Sequence, residues 1–273
     1  MWTERMEYCM NAMKQLWRFG IEQALSCIFP LIIFVTLALS KIITIPGLAR
    51  YDFILIICLI AQVMMVWTRL ETKDELKVIC VFHLIGLGLE LYKVNMGSWS
   101  YPEEALSKIG GVPLYSGFMY ASVASYICQA WRRFDLSIAN WPHPVFAFGL
   151  SVLIYLNFFT HHYIVDLRWY LTALLFIVFW KTWVSYKVGN RIYRMPMILS
   201  FLLIGWFIWI AENISTFLGA WKYPDQEHKW QIVHLGKISS WFLLVVISVI
   251  IVAQLKAVKQ SKEQGPSDHI EHS

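Results

Sequence analysis

Long apolar runs, separated by short segments that collect the charges, make up most of the chain. Runs long enough to cross a bilayer as helices, which takes ~20 residues, lie at about 21 to 43, 51 to 68, 76 to 96, 113 to 132, 143 to 163, 167 to 186, 196 to 218 and 232 to 255. The runs do not alternate with the period of two that a barrel strand needs, and a bilayer core leaves backbone groups unsatisfied in anything but a helix or a closed barrel. The pattern therefore predicts an all-α polytopic membrane bundle of about eight transmembrane helices. Residues 1–20 form a basic N-terminal segment, and 256–273 read as a disordered polar tail.

Two segments align without a gap. The sequence ELYKVNMGSWSYPE starts at Glu90 and ENISTFLGAWKYPD at Glu212, an offset of 122. Adding that offset to the first, third and fourth runs lands on the fifth, seventh and eighth; the second run lands several residues off the sixth. A tandem four-plus-four repeat is expected, with halves at 21–132 and 143–255. An even number of spans per half gives both halves the same orientation and puts both motifs on one side of the membrane.

Composition agrees with this picture. Of 273 residues 58% are hydrophobic and 15% charged, against ~25% charged in soluble domains. That excludes a soluble globule, and because the charges lie between spans no nucleic-acid partner is expected. Fifteen of the 23 Lys and Arg fall on the side of the two termini, the remaining eight on the other, which predicts cytoplasmic termini. The five cysteines include no CxxC pair and read as small buried hydrophobes.

Candidate chemistry comes from charges inside the runs. At ~1.5 Å per residue, Glu90 and Glu212 lie about 21 and 24 Å along their spans, below the outer interface. A carboxylate there costs ~2.5–3.5 kcal/mol on insertion scales and marks a functional site or a buried structural ion pair. Lys237 reaches a similar depth, and Lys93 is one turn above Glu90. The fifth span ends NFFTHHYIVD, which places Asn157, His161, His162 and Asp166 at the same boundary. These can do acid–base work, or make plain helical hydrogen bonds; no third strong ligand is fixed by spacing, so no metal and no cofactor is expected. Acid–base roles are assigned to Glu90, Glu212, His161, His162 and Asp166, and substrate contact to Trp99, Tyr101, Trp221, Tyr223, Asn157 and Lys237. Trp99, Tyr101, Trp221 and Tyr223 also have a simpler reading as interfacial anchors. His83 reads as a satisfied core histidine, and Gly117, Ala121, Ala124 and Cys128 as a small-residue packing face.

With the motif at Glu90, GVPLYSGFMYASVASYI from Gly111 and YLNFFTHHY from Tyr155, the chain resembles a bacterial multi-pass membrane family, domain of unknown function 817. The resemblance runs from about the second span to the eighth. It implies a bacterial cytoplasmic-membrane location and brings no activity with it. The stretch Glu90 to Leu114 is more weakly similar to membrane-bound carotenoid hydratases, which have an intramembrane Glu, a loop with Gly and Tyr, and a ValProLeu helix start. That similarity implies an apolar substrate. Three functions stay open: handling of an amphiphilic, lipid or isoprenoid-like ligand at the outer leaflet; proton-coupled transport of a small solute; and a non-catalytic scaffold. The expected partners are membrane lipids and a possible amphiphilic or small polar ligand. The sequence sets no oligomeric state.

Overall fold

The computed structural model describes residues 2–263. The chain runs α1 (Trp2–Ser26), α2 (Ile28–Leu39), α3 (Arg50–Trp67), α4 (Lys73–Asn95), β1 (Lys108–Ile109), β2 (Val112–Pro113), α5 (Ser116–Arg133), β3 (Ser137–Ala139), α6 (Pro144–Thr160), α7 (Arg168–Phe179), β4 (Trp183–Val188), β5 (Arg191–Pro196), α8 (Met197–Phe217) and α9 (Lys237–Glu263). Each of the eight apolar runs holds a helix. By length and composition α3, α4 and α8 can each cross a membrane, and the α1–α2 pair makes a fourth if it counts as one span. Large side chains such as Leu31, Val35, Ile60, Val63, Val81 and Leu84 face outward, an apolar surface that a lipid environment accounts for. The protein is a mostly helical membrane protein.

Several expectations need correction. The fold is not strictly all-α. Residues 183–186, placed in the sixth span, open the hairpin β4–β5, which joins β3 in an antiparallel sheet ordered β3–β4–β5. Val188 pairs with Arg191, which leaves a two-residue loop, and Gly189 takes φ +59° at its first position as such a turn requires. The first span bends by 67° between α1 and α2, and Pro30 sits in the first turn of α2, where its missing N–H costs nothing. ValPro at 112–113 is strand β2 rather than a helix start. Cys80 is exposed and Cys27 half-buried, whereas Cys58 and Cys128 are buried. Helix α9 continues to Glu263, past the residue where the tail was expected to begin. Residues 264–273 of that tail lie outside the described residues.

The tightest packing is α4 on α5, followed by α8 on α9. Small residues allow it. A Cβ at Gly117 would lie 2.8 Å from the carbonyl oxygen of His83, and one at Gly205 would lie 3.0 Å from the backbone nitrogen of Phe242. Ala121, Ala124 and Cys128 are fully buried on the same α5 face as Gly117, and the His83 ring packs edge-on to Phe118 at 4.4 Å. The small-residue face serves packing as expected; His83 is half-buried and its Nδ1 has no hydrogen-bond partner among the described residues, so it is not the satisfied core histidine that was expected.

Three anchors hold the loops that carry the repeated motif. Asp52 accepts the backbone N–H groups of Leu106 and Ser107 at 2.9 and 2.8 Å. Arg50 donates to the carbonyls of Leu218 and Gly219 and pairs with Glu103 at 2.6 Å, so the start of α3 ties both motif loops together. Ser100 and Lys222 then exchange backbone hydrogen bonds of 2.9 Å in each direction. The two motifs, 122 residues apart in sequence, are thus edge to edge.

Candidate functional site

Each motif folds back onto its own glutamate. Glu90 lies near the C-terminal end of α4, and the chain turns at Gly97 (φ +68°) so that Trp99 and Tyr101 return to it. The Trp99 indole N–H donates to Glu90 Oε2 at 2.7 Å and the Tyr101 hydroxyl to the same oxygen at 2.8 Å. Glu212, near the C-terminal end of α8, is treated alike: the chain turns at Gly219 (φ +70°) and the Tyr223 hydroxyl donates to Glu212 Oε1. Both carboxylates are 3% exposed. Burial, and after it the carboxylates they bond, push the Tyr101 and Tyr223 phenols well above their usual range, so both stay protonated and donate.

A further donor reaches each carboxylate from the next long helix of the chain, and the sequence reading missed both. The Tyr120 hydroxyl on α5 meets Glu90 Oε1 at 2.9 Å, and the Trp241 indole on α9 meets Glu212 Oε2 at 2.8 Å. Their separation is 121 residues rather than 122, so the gapless alignment sets Phe242, which has no donor, against Tyr120. Trp221 is the aligned partner of Trp99, yet it is a buried wall residue, and Trp241 supplies the indole bond instead. The signal for Tyr120 and Trp241 was an aromatic donor early in the helix after each motif.

The two glutamates share one cavity of about 910 Å³, near the top of the ~300–1,000 Å³ range usual for small-molecule sites. Glu90, Trp99, Tyr120, Glu212, Tyr223 and Trp241 form its polar end. The remaining wall is mostly apolar, from Ile33 and Phe34 on α2, Leu203, Ile204, Phe207 and Ile208 on α8, and Val184 and Met195 of the sheet. The Trp99 and Tyr223 rings meet edge to face at 5.9 Å and join the two motifs at this end. Lys237, the first residue of α9, holds its ammonium over those same rings, 4.6 Å from the Tyr223 centroid and 5.5 Å from that of Trp99.

The histidines gather elsewhere. Lys93, 3% exposed, places Nζ 2.9 Å from His162 Nε2, 3.5 Å from His161 Nε2 and 3.1 Å from the Phe158 carbonyl. Asn157 donates to Asp166 at 3.1 Å, and Arg168 pairs with Asp166 at 2.7 Å. Burial alone would raise the Asp166 carboxyl. The Asn157 amide, the Arg168 backbone N–H and the Arg168 guanidinium outweigh it and hold the carboxyl below its usual range. Among the described residues no hydrogen bond links His161 or His162 to Glu90 or Glu212, and no group of three or more His, Cys, Asp or Glu is placed to hold a metal ion. Another buried carboxylate, Glu71, lies in the loop before α4 at the opposite end of that helix, accepting from Gln62 and Ser125. Burial raises its carboxyl against the pull of those two donors.

Fold and site together define a helical membrane protein that encloses a deep, largely apolar cavity capped by two hydrogen-bonded carboxylates. The chain belongs to the family described as Protein of unknown function (DUF817), which it matches over residues 15–249. It is 63% identical over 258 residues to the uncharacterized protein YoaT of Bacillus subtilis (strain 168), covering 94% of this chain and 97% of that one. Among solved structures it is similar in fold to MvINS in the crystal structure of a cross-linked trimer, with 13% identity and a TM-score of 0.50 over 72% of this chain and 97% of that one. A second crystal structure, of MvINS from Mycobacterium vanbaalenii described as a mycobacterial Insig homologue, gives 13% identity and a TM-score of 0.48 over 66% and 93%.

Proposed function

We propose that this protein binds an amphiphilic, lipid- or isoprenoid-like molecule, its apolar part in the cavity and its polar end against Glu90 and Glu212. The observation that carries the reading is the pair of buried carboxylates at one end of a cavity that is otherwise largely apolar. Polar groups in apolar surroundings are costly, and a scaffold has no need for a void of this size beside them. Trp99, Tyr101, Tyr223 and Trp221 shape the polar end, and Lys237 tops it. Asn157, His161, His162 and Asp166 take a separate role in holding the loop after α6.

In this reading the protein sits in the bacterial cytoplasmic membrane with both termini inside, in keeping with the excess of Lys and Arg on the terminal side. The four-plus-four repeat is supported by the reciprocal bonding of the two motif loops and by the matched pairs α4–α5 and α8–α9. A carrier is the second reading, favoured because the cavity extends from Glu212 to the sheet end, about 24 Å along α8 at ~1.5 Å per residue.

Photo-crosslinking tests the binding reading. A diazirine-bearing long-chain amphiphile added to the purified protein in nanodiscs is expected to label α2 and α8 peptides that line the cavity. Labelling confined to outward residues such as Val81 and Leu84 would refute it.

A further inference from the structure

Resting on the binding reading above, the inventory of hydrogen-bonding groups at the polar end narrows the chemistry of the bound head. A carboxylate has about four acceptor sites. Glu90 uses three, for Trp99, Tyr101 and Tyr120, which leaves 4 − 3 = 1. Glu212 uses two, for Tyr223 and Trp241, which leaves 4 − 2 = 2. An indole N–H can only donate, so the Glu90 and Glu212 oxygens that meet Trp99 and Trp241 are acceptors. The Trp99, Tyr101, Tyr120, Tyr223 and Trp241 donors are spent on the two carboxylates, and what Glu90 and Glu212 themselves still offer is acceptor capacity.

Charge points the same way. Among the described residues neither Glu90 nor Glu212 has a Lys or Arg nitrogen within ion-pair distance, whereas Arg50, Arg132, Arg133 and Arg168 each pair with an acid elsewhere. Lys237 is the near cation, and its ammonium rests on the Tyr223 and Trp99 rings. The ring faces at this end therefore already hold a cation, as aromatic rings do for ammonium groups.

We propose that the carboxylate end of the cavity takes the protonated amine of a lipophilic amine, its N–H groups donating to the open sites of Glu90 and Glu212 and its chain lying along Ile204 and Ile208. A phosphate or carboxylate head sets negative charge beside two acids and is chiefly an acceptor. A hydroxyl donates one hydrogen and leaves the carboxylates without a counter-ion.

The experiment is a titration of the full-length protein in nanodiscs at pH 7 with oleylamine, oleyl alcohol and oleate, read by native mass spectrometry. These share one chain and differ only in the head. The amine is expected to bind at least about tenfold more tightly than the alcohol, with oleate weakest. Lys237→Met, which frees the ring faces, is expected to tighten the amine severalfold, and the Glu90→Gln, Glu212→Gln double variant to bring it to the level of the alcohol. Equal binding of amine and alcohol, or preference for oleate, overturns the amine assignment and leaves the binding reading standing. Absence of binding by all three overturns both. The comparison of heads on the wild-type protein needs no variant to fold.

Discussion

Gly86 lies one turn before Glu90 on α4 and packs against Tyr120 of α5. A Cβ built there would be 2.5, 2.6 and 2.7 Å from Cδ2, Cγ and Cβ of Tyr120. The last of these atoms is at the root of the side chain, so no rotation about χ1 clears the clash. Gly86→Ala must push α5 away or swing the ring off Glu90. Overpacking of this kind costs ~1–3 kcal/mol, and the better helix propensity of alanine offsets about 1 kcal/mol of it. If Tyr120 leaves, a 2.9 Å bond to a buried carboxylate goes too, at ~1.5–3 kcal/mol. The net expectation when Tyr120 leaves is a loss of about 1.5–5 kcal/mol, together with weaker ligand binding. The control is Gly88→Ala, since nothing lies within 4 Å of its added Cβ; that change should be neutral or stabilising by up to about 1 kcal/mol. Equilibrium unfolding of both variants in mixed micelles measures the difference. If Gly86→Ala is as stable as Gly88→Ala, the α4–α5 contact does not set Tyr120 on Glu90 and the reasoning fails.

Arg50→Leu removes the guanidinium that holds the Leu218 and Gly219 carbonyls and Glu103, so a loss of at least ~2 kcal/mol is expected, with faster hydrogen exchange in both motif loops; unchanged exchange would contradict the clamp. Asp166 contributes stability that is complete above its unfolded value of ~3.9 and is lost as pH falls through its lowered folded value. Asp166→Asn should flatten that acidic arm of a melting-temperature profile. Glu71 has the opposite sign. Its raised carboxyl penalises the fold as pH climbs from the ordinary glutamate value of ~4.3 to its folded value, so Glu71→Gln should match or exceed the wild type at pH 8 and lose the gain on acidification. A Glu71→Gln profile parallel to the wild type would reject this. Lys93→Met removes a buried ammonium that has no carboxylate within ion-pair distance among the described residues, but it also strands the Phe158 carbonyl and the His162 ring nitrogen, so a change within about 1 kcal/mol of the wild type is expected in the same unfolding assay.

The positions of the helices could be read from the sequence because bilayer physics imposes one signal, a long apolar run, and each run holds a helix. The motif repeat exposed Glu90 and Glu212 because few glutamates occur far inside such runs, and Tyr101 and Tyr223 came with them at fixed spacing. Tyr120 and Trp241 stayed hidden because an aromatic early in a membrane helix has several ordinary uses, and nothing local separates a donor aimed at a carboxylate from a ring packed in lipid or core. The first residues of the β4–β5 hairpin, 183–186, were absorbed into the apolar run 167 to 186; its alternation and the Gly189-Asn190 turn were local signals for it, outweighed by length. His161 and His162 were grouped with the glutamates by depth alone. Depth fixes height along the membrane normal and says nothing about lateral position, and the structure sets them against Lys93.

An amphiphile held at the carboxylate end of the cavity is the central expectation. The most direct measurement is native mass spectrometry of the protein purified from its membrane, wild type beside Ala211→Trp, a substitution that projects an indole into the cavity next to Glu212. The wild type is expected to carry a bound small amphiphile at substantial occupancy, and Ala211→Trp to retain its fold and lose that mass. Equal occupancy in the two proteins, or a wild type that emerges bare and takes up no added amphiphile, would contradict it.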